Sequence, residues 1–149
     1  MIVGFYEAFH DDKNVYFFME YLNGVEMFEA IREIGILTKK IATYYFGSIL
    51  LAIESLHEKN IIYRDIKPEN SIITYKGKVI LIDLGTCKRL SPDNSFRTAT
   101  IIGTPHYMAP EVMSGKGYSF EVDFWSMGIL LYEFVCGKLP FAESCDKPY

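Results

Sequence analysis

Ile61-Ile62-Tyr63-Arg64-Asp65-Ile66-Lys67-Pro68-Glu69-Asn70 sets an Asp, a Lys and an Asn on one short loop between two patterned segments. An Asp there can accept a hydroxyl proton, a Lys two positions on can neutralise a transferring phosphate, and an Asn five after the Asp can ligate a metal through its carbonyl oxygen. Thirteen residues after Asn70, Ile82-Asp83-Leu84-Gly85 closes an apolar run with an Asp and a turn-permitting Gly. Such an Asp could bridge Mg²⁺ to phosphate oxygens. Taken singly, Asp65 and Asp83 read as turn or cap residues; their spacing argues for chemistry.

Outward from this loop the pattern is mixed. Residues 2–9 and 15–21 are aromatic and β-branched runs around the polar turn His10-Asp11-Asp12-Lys13-Asn14, which predicts a hairpin. Positions 27, 28, 31 and 34 keep helical spacing up to a stop at Gly35. Thr38 caps a longer helix to about Lys59, whose face is Ile41, Tyr45, Ile49, Ala52, Ile53 and Leu56. Residues 71–75 and 78–82 read as short strands around Lys76-Gly77, and 85–110 as an irregular stretch long enough to be functional. From Glu121 to Gly137 a helix is apolar nearly all round and wants neighbours on every side, yet twelve residues remain to cover it, so an exposed apolar helix is expected.

The 149 residues are 50% hydrophobic and 23% charged, enough for one domain with a core and wrong for a disordered segment. A net charge of −4 leaves no basic field for nucleic acid or an anionic membrane, so no nucleic-acid partner is expected. Cys87, Cys136 and Cys145 lack metal-ligand spacing and are odd in number, which argues against zinc and against a disulfide framework. The opening residues lack a signal-peptide pattern and the most apolar stretch is too short for a transmembrane helix, so an intracellular (cytoplasmic) protein is expected.

The loop at 63–70, the Asp83-Leu84-Gly85 triplet, Gly103-Thr104-Pro105-His106-Tyr107-Met108-Ala109-Pro110-Glu111 and Val122-Asp123-Phe124-Trp125 resemble, in order and spacing, the large lobe of a eukaryotic Ser/Thr protein kinase. Tyr63 before Arg64-Asp65, with Ile66-Lys67-Pro68 after it, is similar to the AGC group, most closely the cyclic-GMP-dependent and then the cyclic-AMP-dependent kinases. The resemblance implies an α+β, protein-kinase-like fold in truncated form: residues 1–22 as last small-lobe strands and hinge, 23–149 as an incomplete large lobe. It implies Asp65 as base toward the substrate hydroxyl, Lys67 as stabiliser of the γ-phosphate, Thr104 beside them, and Asn70 and Asp83 as Mg²⁺ ligands. For ATP it implies Met19 as gatekeeper, Glu20 and Leu22 at the hinge, Glu26 at the ribose and Ile72 against the base.

The same resemblance makes residues 85–110 an activation loop with Thr100 at the usual phosphorylation position and Thr98 as competing site, modified by an activating kinase or by autophosphorylation. Arg64 and Lys88 would grip that phosphate. Ile101, Pro105 and Met108 resemble an apolar pocket for the substrate residue after the acceptor, while Glu26, Glu69 and Glu133 match acidic positions that receive upstream arginines. Protein substrates with basic residues near Ser or Thr are therefore expected.

Four departures accompany the likeness. The sequence holds no Gly-rich strand-turn-strand, no strand lysine and no helix bearing its Glu partner, so these residues alone are expected to have little or no kinase activity, and the lack of an Arg for Glu111 predicts marginal solubility. Leu84 stands where Phe is usual. Ser71 puts a hydroxyl beneath the nucleotide floor, a mark of decay if it lacks a partner. Residues 91–95 make the loop longer than in close relatives. The rival reading is a non-catalytic, truncated or decayed kinase remnant that at most binds a partner.

Overall fold

The computed structural model describes residues 1–141. Cys145, and the absence of metal and disulfide chemistry expected of it, lie outside them. Strands β1 (Phe5–His10) and β2 (Val15–Met19) pair antiparallel. At their turn the Asp11 carboxylate accepts the backbone N–H groups of Lys13 and Asn14 at 2.7 and 2.8 Å, which is why this polar segment reverses the chain. Every residue of both strands is exposed. The strands are joined to the body by backbone bonds from Val3 N–H to the Leu81 carbonyl (3.0 Å) and from Leu81 N–H to the Met1 carbonyl (2.8 Å).

Helix α1 (Met27–Ile34) buries Met27 and Ile31 and ends at Gly35, whose φ of 76° suits glycine. Helix α2 (Lys39–His57) starts at Thr38, whose hydroxyl accepts the Ile41 N–H at 3.4 Å. Its buried face is Ala42, Ile49, Ala52, Ile53 and Leu56, with Ile41 and Tyr45 packed at the margin. Strand β4 (Ile61–Ile62) follows, then the 3-10 turn Pro68–Asn70, then β5 (Ser71–Thr74) and β6 (Val79–Leu81).

A strand that periodicity did not announce, β3 (Gly24–Glu26), completes a sheet of order β3-β5-β6. Gly24 is required there, because a Cβ would lie 2.3 Å from the Ile73 carbonyl oxygen. The stretch expected to be irregular is partly regular: β7 (Lys88–Arg89) pairs with β4, 3-10 turns form at Pro92–Asn94 and Pro105–Tyr107, and α3 spans Pro110–Met113.

Helix α4 (Glu121–Cys136) supplies Met127, Ile129, Leu130 and Phe134 to a core shared with Met27, Ile53, Tyr63, Ile66 and Leu81. Phe124, Trp125, Tyr132 and Val135 are exposed, the uncovered apolar face that was expected of this helix. Among the described residues only one flank of α4 meets the core, and Trp125 stacks on Phe141 at 6.0 Å. A second cluster joins Ile62, Leu90, Ala109, Val112, Tyr118 and Val122. No helix among the described residues is long and apolar enough to cross a membrane.

Candidate active site

The site begins with a buried carboxylate. Asp123, in the first turn of α4, accepts the backbone N–H groups of Tyr63 (Oδ2, 2.9 Å) and Arg64 (Oδ1, 2.8 Å) and a bond from His57 Nε2 at 2.7 Å. With three donors it is not an orphaned buried charge. It fixes the backbone one residue ahead of Asp65, and Arg64 turns the chain there with φ of 74°. His57, read from sequence as a surface or packing residue, is one of those three donors.

Asp65, 6% exposed, is surrounded by the partners that its motif brings with it. Its Oδ1 accepts the Thr104 hydroxyl at 2.6 Å; its Oδ2 lies 2.9 Å from Lys67 Nζ and accepts Asn70 Nδ2–H at 3.0 Å. Lys67 Nζ also donates to Thr104 Oγ1 at 2.8 Å, and Asn70 Nδ2–H to the Asp65 carbonyl at 2.8 Å. Thr104 reaches this group because Gly103 lies against the Arg64 carbonyl. A Cβ at Gly103 would stand 2.5 Å from that oxygen, and its φ is 117°.

Asp83 follows through backbone: Ile82 N–H donates to the Asn70 carbonyl at 2.9 Å, and the Tyr63 hydroxyl donates to the Ile82 carbonyl. Burial pushes the Tyr63 phenol well above its ordinary pKa, so it stays a proton donor. Asp83 is exposed, with φ of 55°, and its Oδ1 accepts the Gly85 N–H at 3.0 Å. Beside it opens a cleft of about 680 Å³ whose lining includes Phe5, Met19, Glu20, Leu22, Ile72 and Asp83. Glu26 is not in that lining; it pairs across β3 with Ile72 and is exposed. Leu84 and Phe5 are both exposed along the cleft wall.

The donor set fits a nucleotide and a hard cation. Asn70 commits its amide N–H groups to Asp65, which leaves its carbonyl oxygen for another partner, and the exposed Asp83 carboxylate keeps one oxygen clear of the Gly85 bond. The cleft is lined mainly by apolar side chains, as a planar base requires.

Ile101, Pro105 and Met108 share a hollow of about 290 Å³ with Met113, which the sequence reading did not include. Glu133 accepts the Tyr107 hydroxyl at 2.7 Å. Burial raises the Glu133 pKa and the neighbouring Glu69 charge raises it further, against the opposing effect of the Tyr107 bond. Glu69 Oε2 is buried with no hydrogen-bond partner. Ser71, fully buried, likewise leaves its hydroxyl unpartnered.

The two candidate threonines differ. Thr98 is 7% exposed and its hydroxyl accepts from Lys88 Nζ at 2.9 Å; Thr100 is exposed. Lys88 thus sits on Thr98 rather than on Thr100. Arg64 donates from Nε to the Thr86 carbonyl at 2.6 Å.

A model of the protein kinase domain matches residues 1–148. The chain belongs to the protein kinase domain family. It is 50% identical over 142 residues to the cGMP-dependent protein kinase of Plasmodium berghei, covering 95% of this chain and 16% of that protein. With the cGMP-dependent protein kinase of Toxoplasma gondii it shares 47% over 145 residues, 97% of this chain and 14% of the other. With the cAMP-dependent protein kinase catalytic subunit of Dictyostelium discoideum it shares 42% over 142 residues, 95% and 21%. This kinase domain therefore spans about one sixth of the length of the cGMP-dependent relatives named here. The likeness to AGC Ser/Thr kinases read from its motifs holds, and the family uses ATP and Mg²⁺.

Proposed function

We propose that this chain carries the catalytic and substrate-facing part of an AGC-type Ser/Thr protein kinase, residues 1–22 closing the cleft from the small-lobe side and 23–149 forming the large-lobe part. The observation that supports it most is the closed network of Asp65, Lys67, Asn70 and Thr104. In this reading Asp65 orients and receives the proton of a substrate Ser or Thr hydroxyl, while Thr104 and Lys67 hold its carboxylate in place. Lys67 offers its positive charge to the phosphoryl oxygens once substrate draws it forward. Asn70 and Asp83 would hold Mg²⁺, and Met19, Glu20, Leu22 and Ile72, which line the cleft, would receive the base of ATP. When bound, Mg²⁺ supplies neutralisation of phosphate charge.

Glu69 and Glu133 support a basic substrate. A buried carboxylate oxygen without a partner near a second, half-buried carboxylate is a site that a guanidinium would complete. Ile101, Pro105 and Met108 would take an apolar residue after the acceptor. Thr100 is the reading's phosphorylation site, with Arg64 and Lys88 able to turn toward its phosphate.

Kinase assay of a protein that joins this chain to a Gly-rich loop and strand lysine tests the reading. Asp65→Ala is expected to lower kcat by about 10²–10⁴-fold with nucleotide affinity retained. The 149 residues assayed alone are expected to show little or no turnover. The unpartnered Ser71 hydroxyl favours the rival of a decayed, non-catalytic remnant; absence of both turnover and nucleotide binding in the joined protein would establish that rival.

A further inference from the structure

The segment bearing Thr100 is fastened at several points by groups of the chain itself. Phe96 packs half-buried on the cluster formed by Ile62, Leu90, Val112 and Val122. Arg97 donates to the Gly117 carbonyl and lies 3.9 Å from a Glu121 carboxylate oxygen. Thr98 and Tyr118 exchange backbone bonds, N–H to carbonyl, of 2.9 and 2.8 Å. The Tyr118 ring is fully buried, and its hydroxyl donates to the Thr100 carbonyl while accepting a long 3.4 Å bond from the Arg64 guanidinium.

That hydroxyl lies where two chains of contact meet. On one side is Arg64, whose backbone N–H is held by Asp123 and whose neighbour is Asp65. On the other is the carbonyl of Thr100, three residues before the glycine that seats Thr104 on Asp65. We propose that Tyr118 is a positioning residue whose phenol joins Arg64 to the Thr100 carbonyl and so keeps residues 97–101 in register without a phosphate at Thr100. A phosphate then strengthens a segment already seated, by drawing Arg64 from the phenol to itself. The assignment rests on the kinase reading only for the importance of Thr100; the geometry stands on its own.

Amide hydrogen exchange on the full chain, first unmodified and then phosphorylated at Thr100, tests this without any need for turnover. In the unmodified chain the Thr98 and Tyr118 amides are expected to be protected, and Thr100→Ala to leave that protection within about twofold, since it keeps the backbone carbonyl. Tyr118→Phe, which retains the ring, is expected to speed exchange at residues 98–102 by about five- to tenfold, with α2 amides unchanged as the measure of an intact fold. Phosphorylation of Thr100 in Tyr118→Phe is expected to restore protection, because the phosphate recruits Arg64 directly; a ring that merely filled space would not be rescued in this way. Thr98 and Tyr118 amides that become protected only on phosphorylation of the wild-type chain would overturn the proposal, whether or not the variant folds. So would a Tyr118→Phe chain with α2 intact and exchange at 98–102 unaltered. Loss of the kinase reading through an inert Asp65→Ala comparison would leave either exchange result standing.

Discussion

The loop at residues 63–70 and the hairpin at residues 5–19 are built by opposite means. In the loop, polar groups hold one another: Asp123 accepts from Tyr63, Arg64 and His57, and Asp65 is held by Thr104, Lys67 and Asn70. In the hairpin, aromatic side chains pair with each other, Phe9 on Tyr16 at 5.0 Å and Tyr6 beside Phe18 at 5.6 Å, and all stay exposed. A two-stranded ribbon is marginal by itself, whereas a buried polar network with its donors matched is rigid. The loop that carries Asp65, Lys67 and Asn70 is thus positioned from inside the described residues, and the hairpin by a few backbone bonds at Met1, Val3 and Leu81.

Removing the carboxylate at the base of the network is the severest way to test that contrast. Asp123→Ala strands two backbone N–H groups and a histidine N–H in the interior, and is expected to cost about 3–5 kcal/mol. Phe18→Ala on the hairpin removes a larger but exposed side chain and is expected to cost under about 1 kcal/mol. Urea unfolding of the two variants compares them directly, and equal losses would break the distinction between the regions. Gly103→Ala comes next. Its methyl would collide with the Arg64 carbonyl at a φ that disfavours any side chain. The expected loss is about 1–3 kcal/mol of stability, accompanied by release of the Thr104 hydroxyl from Asp65, readable as a chemical-shift change at Thr104.

What the sequence disclosed follows the range over which each feature is encoded. Thr38 as a cap, the α2 face and the turn at Asp11 rest on neighbours within a few residues, and all were legible. Strand β3 was not, because Gly24-Val25-Glu26 has no period of its own and is made a strand by Ile72, Ile73 and Thr74 across the sheet. Asp65, Lys67 and Asn70 announced themselves by spacing; their geometry is local, and they meet. The bond from His57 to Asp123 spans 66 positions, and although Asp123 stands in a quoted motif, no local pattern marks His57 as its partner. Tyr107 and Tyr118 were missed for the same reason: each is a buried aromatic whose hydroxyl partner is set by tertiary packing.

Ser71 makes a smaller test, inside the same region. It lies next to Asn70 with a buried, unpartnered hydroxyl, one of two such groups beside the network with Glu69 Oε2. Ser71→Ala removes the unmatched group and little volume, and is expected to stabilise the fold by about 1 kcal/mol, seen as a higher urea midpoint with unchanged slope. A loss of stability would mean that the hydroxyl is matched after all.

The smallest expected effect is one of pH, and it sharpens the comparison by asking whether the polar half is complete without a ligand. Burial, with the Glu69 charge beside it, raises the Glu133 pKa above the ordinary carboxylate value of 4.5. A raised folded-state pKa means that this group's contribution to stability is fully present below 4.5 and is lost as pH rises through the raised value. Binding of an arginine-containing peptide has the opposite slope, because a guanidinium is attracted to the ionised carboxylate. Affinity for such a peptide is expected to strengthen with rising pH across that window, by at most on the order of tenfold. In Glu133→Gln both slopes at this position should flatten while the Tyr107 hydroxyl keeps an acceptor. Calorimetric titration of a basic and a neutral peptide at several pH values separates the two effects. A pH slope that persists in Glu133→Gln would move the guanidinium site away from Glu133 and leave Glu69 as its remaining anchor.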